Sequence, residues 1–225
     1  MIEGLENIRA IAWDFDGVLN RDRIGKTFPW HTALKKEFGV DLPTFVEHVF
    51  RTNPRAWMTG KEDVLDRLED WAKAVDFEGD AEDVLELWLR ESLDLNPELE
   101  LIMEQISLTG ITQVVATNNE ARRARTIRHD AGLSAKADAI FASGEMGAMK
   151  PEPEFFEQIE TALGLAPQEI LLIDDGVRNI SAAEKRGWLG WQYEEDGQMD
   201  LAKALMPLML LADESGESDE SGTQG

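Results

Sequence analysis

The chain of 225 residues contains no cysteine, which excludes disulfide bonds and a catalytic thiolate. Positive charge is also scarce: 22 lysine and arginine residues stand against 45 aspartate and glutamate residues, for a formal net charge of -23. Such a field repels phosphate backbones and anionic membrane surfaces, so we expect no nucleic acid and no membrane among the partners. An anionic small molecule would need a metal ion or converging cationic side chains to reach a site here.

Long apolar runs are missing as well. No uninterrupted stretch is long enough to span a bilayer, and the start, MIEGLENIRA, lacks the basic and apolar regions of a signal peptide. We therefore expect a cytoplasmic protein. Residues 213–225 hold five acidic side chains, no basic residue and no large apolar side chain. Such a segment cannot offset its ordering entropy by burial, so it is predicted to be a disordered tail.

Short apolar runs alternate with helical patterns over most of the chain. The apolar runs predict five buried strands, at residues 8–13, 113–116, 139–142, 170–173 and 189–193. The patterns between the later runs predict helices at residues 120–131, 154–163 and 179–186. This alternation indicates an α/β fold with a parallel sheet and right-handed crossovers.

Residues 21–95 break the alternation. They are rich in tryptophan and leucine at helical spacing, and they contain no convincing pair of strands. Glycines and prolines divide them into four or five short helices. We expect a small all-helical cap inserted after the first strand, while residues 1–20 and 96–212 form the α/β core. The tryptophans expected to fill the core of the cap are Trp57, Trp71 and Trp88.

Two carboxylates, Asp14 and Asp16, follow the first predicted strand. Open parallel sheets place their ligand crevices at this edge. Of two carboxylates held there, one can attack while the other handles a proton, and Gly17 would let backbone N–H groups approach an anion. Asp-Gly after a strand is also typical of a plain turn, so this tetrapeptide alone does not define a site.

Three later segments place further polar side chains at the same edge. Thr117 and Asn118 offer a hydroxyl and helix-start amides to an anion, although a simple helix N-cap has the same sequence. Lys150, in GAMKPEPEF, supplies positive charge, although surface lysines before proline are common. Asp174 and Asp175 follow the fourth strand, where they form either a solvated turn or part of a site for a hard cation such as Mg²⁺.

The segments DFDGVLN, ATNN, KPEPEFF and IDDGVRNISAAEKRGW resemble, in order and spacing, the four motifs of the haloacid dehalogenase (HAD) superfamily over residues 8–193. The resemblance implies a Rossmann-like parallel sheet with helices on both faces, and a cap of the superfamily's first class. It also implies Mg²⁺-dependent hydrolysis of a small phosphorylated substrate. The layout is most similar to that of the small-molecule phosphatases.

The resemblance also assigns roles to individual residues. Asp14 would be the nucleophile that forms a phospho-aspartate, and Asp16 would be the general acid and base. The phosphoryl oxygens would be held by Thr117, Asn118 and Lys150. A mechanism of this kind needs both the attacking carboxylate and the proton donor at one crevice.

The same resemblance implies a magnesium site. The metal would be bound by a carboxylate oxygen of Asp14, the backbone carbonyl of Asp16, and Asp175. Asp174 would act through water or by orienting Lys150. Asn20 stands where many members of the superfamily have an acid or a hydroxyl, which bears on the substrate subclass and not on the chemistry.

Several alternatives stay open at this point. A dehalogenase of the same fold replaces the second aspartate, so Asp16 argues against it. A phosphonatase needs a cap lysine, for which Lys61 and Lys73 are available. A phosphomutase would keep every residue named above, and a binding module on this fold would not need them. Whether the protein is a monomer or a homodimer is also left open.

Two further expectations concern the surface. The cap should select the substrate, and its candidate contacts are Trp30, His31, Arg51, Arg55, Trp57 and Lys61. The helix at residues 120–131 is rich in arginine and is predicted to present a solvated, salt-bridged face, formed by Arg122, Arg123, Arg125 and Arg128.

Overall fold

The computed structural model of the protein describes residues 3–21 and 28–210, so the predicted acidic tail, 213–225, lies outside the described residues. The strands are β1 (Ala10–Trp13), β2 (Thr112–Thr117), β3 (Ala139–Ala142), β4 (Ile170–Asp174) and β5 (Leu189–Gln192). They form one parallel sheet in the order β3-β2-β1-β4-β5. The predicted α/β fold class is confirmed.

The described part of the predicted cap, residues 21 and 28–95, lies between β1 and β2 and is mostly helical. Its elements are α1 (Pro29–Phe38), α2 (Leu42–Phe45), a π-helical turn (Val46–Arg51), α3 (Pro54–Met58), α4 (Val64–Ala74) and α5 (Ala81–Glu91). Three aspartates open these helices by accepting a backbone N–H in the first turn: Asp41 for α2, Asp63 for α4 and Asp80 for α5. The local sequence thus accounts for the short, well-separated helices.

The cap has its own apolar core. Trp57, Trp71 and Trp88 are buried there, as predicted, together with Trp30 and Phe45. Some of the ring pairs in this cluster pack edge to face, and the rings of Phe45 and Trp71 meet with centroids 5.0 Å apart at 85°. Aromatic side chains bury a large apolar area for their number, so they can hold together a unit as small as this one.

Helices cover both faces of the sheet. They are α6 (Pro97–Ser107), α7 (Ala121–His129), α8 (Ser143–Met146), α9 (Pro153–Leu163), α10 (Val177–Arg186) and α11 (Gln198–Met209). On β1, Ile11 and Trp13 join the apolar cluster with α6 and α11, whereas Ala10 and Ala12 join the cluster with α9 and α10. The division follows from the alternation of side chains along a strand.

The apolar cluster of the cap and the two clusters beside the sheet have no buried residue in common. This separation supports the proposed division into a cap, residues 21–95, and an α/β core, residues 1–20 and 96–212. Those boundaries stay a prediction. Within the described residues, none of the helices combines the length and the apolar character needed to cross a bilayer.

Candidate active site

A buried lysine lies between two aspartates at the carboxyl edge of the sheet. The register of β1 and β4 pairs Trp13 with Ile173, which brings the next residues, Asp14 and Asp174, side by side. The Nζ atom of Lys150 lies 2.9 Å from Oδ1 of Asp14 and 2.6 Å from Oδ2 of Asp174. Lys150 is only 1% exposed, so this pairing takes place in a region of low dielectric constant.

The carboxylates around Lys150 carry more negative charge than its ammonium can neutralise. Burial raises the pKa of Asp14 well above its ordinary value; the Lys150 ammonium opposes that rise and the Asp174 carboxylate adds to it. Burial on its own would lower the pKa of Lys150, but Asp14 and Asp174 outweigh it, so the pKa of Lys150 is raised. One ammonium therefore faces an excess of carboxylates, an arrangement that a further cation would stabilise.

The carboxylates could hold a metal ion. One oxygen from each of Asp14, Asp174 and Asp175 lies within 4.8 Å of the other two. Gly17 makes room for this cluster: its φ is +83°, and a Cβ there would lie 2.6 Å from Oδ2 of Asp175. An all-oxygen donor set is what Mg²⁺ prefers, so the residues present fit that ion.

Asp174 is fully buried, and both of its oxygens already have partners. Its Oδ1 accepts hydrogen bonds from the backbone N–H of Gly176 at 2.7 Å and from Nδ2 of Asn179 at 3.0 Å. Its Oδ2 accepts the bond from Lys150 at 2.6 Å. These contacts are those of a carboxylate that orients Lys150, which is one of the two roles expected for Asp174.

The Asp16 side chain lies apart from the three clustered carboxylates and is held by donors at both oxygens. Its Oδ1 accepts from Nδ2 of Asn20 at 2.9 Å and from Nη2 of Arg123 at 2.6 Å. Its Oδ2 accepts from Nδ2 of Asn119 at 2.9 Å. Asn119 also donates to Oγ1 of Thr117 at 2.7 Å, so it ties these two predicted site residues together.

The two residues expected to bind phosphate at the carboxyl end of β2 differ in what their side chains do. The Thr117 hydroxyl is buried and accepts from Asn119, which leaves its proton for an anion. The Asn118 side chain exchanges two hydrogen bonds with the backbone of Lys150, each 2.8 Å long. It therefore holds the Lys150 loop against β2.

The start of α7 is capped by a side chain of the protein itself. The Glu120 carboxylate caps α7 and accepts the backbone N–H groups of Arg122 at 2.6 Å and Arg123 at 2.5 Å. Burial raises the pKa of Glu120, against the lowering effect of these two bonds. Because a side chain of the protein already fills the helix start, these two amides do not form an anion cradle.

Two ion pairs join the cap to the core beside this edge. Arg55 forms a two-pronged ion pair with Glu152, at 2.5 and 3.0 Å. Arg122 of the core forms another with Asp63 of the cap, at 2.7 and 2.9 Å. Among the candidate substrate contacts, Arg55 is thus engaged with the core, and Trp30 and Trp57 lie in the apolar core of the cap.

Arg123 lies in the site, and not on the solvated face predicted for its helix. It is only 6% exposed and contacts Asp16. The prediction of salt bridges does hold for Arg122 with Asp63 and for Arg128 with Glu145. The spacing along the helix indicates this burial, because Arg123 precedes the buried Ile127 by four residues and so shares its face of the helix.

The structure combines a parallel α/β sheet, aspartates and a lysine that meet at the carboxyl edge of the sheet, and a helical cap above that edge. Together these features define a class of enzyme. The chain belongs to the haloacid dehalogenase-like hydrolase family, whose model matches residues 8–187. It is 25% identical over 206 residues to a phosphatase of Mycobacterium tuberculosis, covering 85% of this chain and 90% of that protein.

Two further similarities concern proteins from other bacteria. The chain is 23% identical over 212 residues to phosphoglycolate phosphatase of Salmonella choleraesuis, covering 83% of this chain and 81% of that protein. Its fold matches that of a HAD family enzyme of Bacteroides thetaiotaomicron, solved in complex with magnesium and inorganic phosphate. That match has a TM-score of 0.68 and 17% sequence identity, and covers 83% of this chain and 94% of the other.

Proposed function

We propose that this hydrolase is a Mg²⁺-dependent phosphatase that dephosphorylates a small organic phosphomonoester through a phospho-aspartate at Asp14. The observation that carries the proposal is the Lys150 ammonium, buried between Asp14 and Asp174 at the carboxyl edge of the sheet. In a chain this acidic, the ammonium and a metal ion would together attract and hold a phosphoryl group. Relatives named as phosphatases support this choice of reaction.

The chemistry divides between two carboxylates. Asp14 attacks phosphorus in line, the bond from phosphorus to the leaving oxygen breaks, and Asp16 gives that oxygen its proton. Asp16, now ionised, then takes a proton from a water molecule, which attacks the acyl phosphate and frees Asp14 together with inorganic phosphate. Lys150 and the Thr117 hydroxyl hold the phosphoryl oxygens during both steps.

Mg²⁺ would be held by Asp14, the backbone carbonyl of Asp16, and Asp175, while Asp174 orients Lys150 or contacts the ion through water. The fit rests on the clustered carboxylate oxygens of Asp14, Asp174 and Asp175. A neighbouring structure that contains magnesium and phosphate supports this choice of ion. When bound, the ion supplies charge neutralisation for the phosphoryl group and for the carboxylates around it.

The test is phosphate release from p-nitrophenyl phosphate and from a panel of sugar, nucleotide and amino-acid phosphates, with Mg²⁺ and with chelator. We expect Mg²⁺-dependent release that is lost in Asp14→Asn and retained in Asp130→Asn, which changes an exposed aspartate at the end of α7. Acid quenching during turnover should trap a hydroxylamine-sensitive phosphate on the peptide that contains Asp14. The proposal fails if folded, Mg²⁺-loaded protein hydrolyses no compound, or if Asp14→Asn hydrolyses as fast as wild type.

A further inference from the structure

Arg123 occupies an unusual place for an arginine on a helix. Its guanidinium carbon lies 6.0 Å from the ring centre of Phe15 in the core and 5.5 Å from that of Trp88 in the cap. Its Nη2 atom donates to Oδ1 of Asp16 at 2.6 Å and to the backbone carbonyl of Ser92 at 3.3 Å. A planar guanidinium between two rings has little freedom to turn, so the donor aimed at Asp16 is fixed in direction.

Asn20 makes the same pair of contacts from the opposite segment. Its Nδ2 atom donates to Oδ1 of Asp16 and to the carbonyl of Ser92, both at 2.9 Å, and its Oδ1 accepts the backbone N–H of Asp94 at 2.7 Å. Ser92 immediately follows α5, where the chain leaves the cap for the core. Nη2 of Arg123 and Nδ2 of Asn20 thus each donate both to Asp16 and to Ser92, at the point where the chain leaves the cap.

The remaining oxygen of Asp16 is restrained too, by the bond from Asn119 at 2.9 Å. Both carboxylate oxygens are therefore held although the side chain is still 30% exposed and so accessible from the crevice. Charge-assisted bonds of this kind are short and directional. A proton donor must be held close to its productive geometry, since a misplacement of about 1 Å can cost about a hundredfold in rate.

We propose that Arg123 is a positioning residue for Asp16, and that it ties the orientation of this proton donor to the segment by which the cap rejoins the core. The inference rests on the proposed function, because it concerns the proton that Asp16 delivers to the leaving group. Arg123 touches neither substrate nor metal in this scheme. Its effect on kcat/KM falls on the first chemical step and on leaving groups that need a proton.

The experiment compares kcat/KM for two substrates that differ in leaving group. β-Glycerophosphate releases an alkoxide and needs the proton from Asp16, whereas p-nitrophenyl phosphate releases a stabilised phenolate and does not. Because kcat/KM reports only the steps up to the first irreversible one, the later hydrolysis of the phospho-enzyme does not affect its value. For Arg123→Met we expect a loss of about a hundredfold with β-glycerophosphate and under about threefold with p-nitrophenyl phosphate. For Arg123→Lys, which keeps the charge, we expect a loss of about tenfold confined to β-glycerophosphate.

Two arginines on the same helix serve as controls. Arg125→Met changes an exposed side chain and should leave both values unchanged. Arg122→Met removes the ion pair with Asp63 of the cap and makes no change at Asp16, so it isolates the effect of cap docking. Equal losses with both substrates, no loss in either folded Arg123 variant, or a faster reaction with β-glycerophosphate would overturn the inference. Failure of the wild-type protein to hydrolyse either substrate would instead overturn the proposed function.

Discussion

Replacing Lys150 with methionine tests the electrostatic account of the site. The change keeps a long apolar side chain and removes the ammonium that lies 2.9 Å from Asp14 and 2.6 Å from Asp174. Removing one partner of a buried ion pair costs about 3–5 kcal/mol, because the remaining charge stays buried without compensation. We expect the free energy of unfolding in metal-free buffer to fall by that amount. A domain of ordinary stability, about 5–15 kcal/mol, would still fold.

Magnesium should reverse part of this loss. Without the ammonium, the carboxylates of Asp14 and Asp174 lose the cation that lies between them, and a divalent ion at the cluster of Asp14, Asp174 and Asp175 would then bind only to the folded protein. Such linkage contributes about 2.7 kcal/mol when the ion is present at a hundred times its Kd. Phosphatase activity should still fall by about 10²–10³-fold, as when one donor to the reacting oxygens is lost.

Urea denaturation in chelator and in Mg²⁺ measures both stabilities for Lys150→Met. Lys36→Met, which changes an exposed lysine on α1, is the matched control. The double variant Lys150→Met with Asp174→Asn should recover part of the loss, because it also removes one unpaired carboxylate. A free energy of unfolding of Lys150→Met within about 0.5 kcal/mol of wild type in chelator, the usual range for a surface substitution, would show that the ammonium does not stabilise the buried carboxylates.

Three other variants test separate parts of the structure. Because burial raises the pKa of Asp14, its contribution to stability is present below the ordinary aspartate value and is lost as pH rises through the raised pKa. In chelator at neutral pH, Asp14→Asn should therefore be more stable than wild type by about 1 kcal/mol, and equal melting temperatures across a pH series would contradict this. Gly17→Ala places a Cβ 2.6 Å from Oδ2 of Asp175, so it should weaken Mg²⁺ binding about 10–100-fold. A calorimetric titration measures the affinity, and an unchanged value would show that Asp175 does not need this space. Glu160 accepts two hydrogen bonds from Arg186, at 2.6 and 2.7 Å. Glu160→Ala should therefore lower the free energy of unfolding, measured by urea denaturation, by about 2–3 kcal/mol. A change below about 0.5 kcal/mol would show that this pair does not stabilise the fold.

The strands could be predicted from sequence because short apolar runs that alternate with helical patterns usually form the buried strands of a parallel sheet. β2 and β4 each extend no more than one residue beyond their predicted ends. β1 begins at Ala10 and not at Ile8, because Leu5–Asn7 forms a 3-10 turn that Ile8 closes. Once parallel strands are assigned, the meeting of Asp14 and Asp174 follows from topology alone.

Side-chain direction could not be predicted in the same way. Asn118 and Asn119 are neighbours of one type, yet one side chain binds the backbone of Lys150 and the other binds Asp16 and Thr117. The choice depends on which groups the fold brings within about 3 Å, which no local pattern records. Arg123 was missed for a related reason, since the carboxylate that compensates its burial lies 107 positions earlier in the chain.

The pairs Arg55 with Glu152 and Asp63 with Arg122 join the cap to the core, and one side chain of each pair is more than 40% exposed. Solvated pairs of this kind contribute at most about 1 kcal/mol each and are weakened by salt. These two ion pairs can therefore break without uncovering the apolar interior of either part. Product escape would then become faster as ionic strength rises, whereas the melting of each hydrophobic core would hardly change.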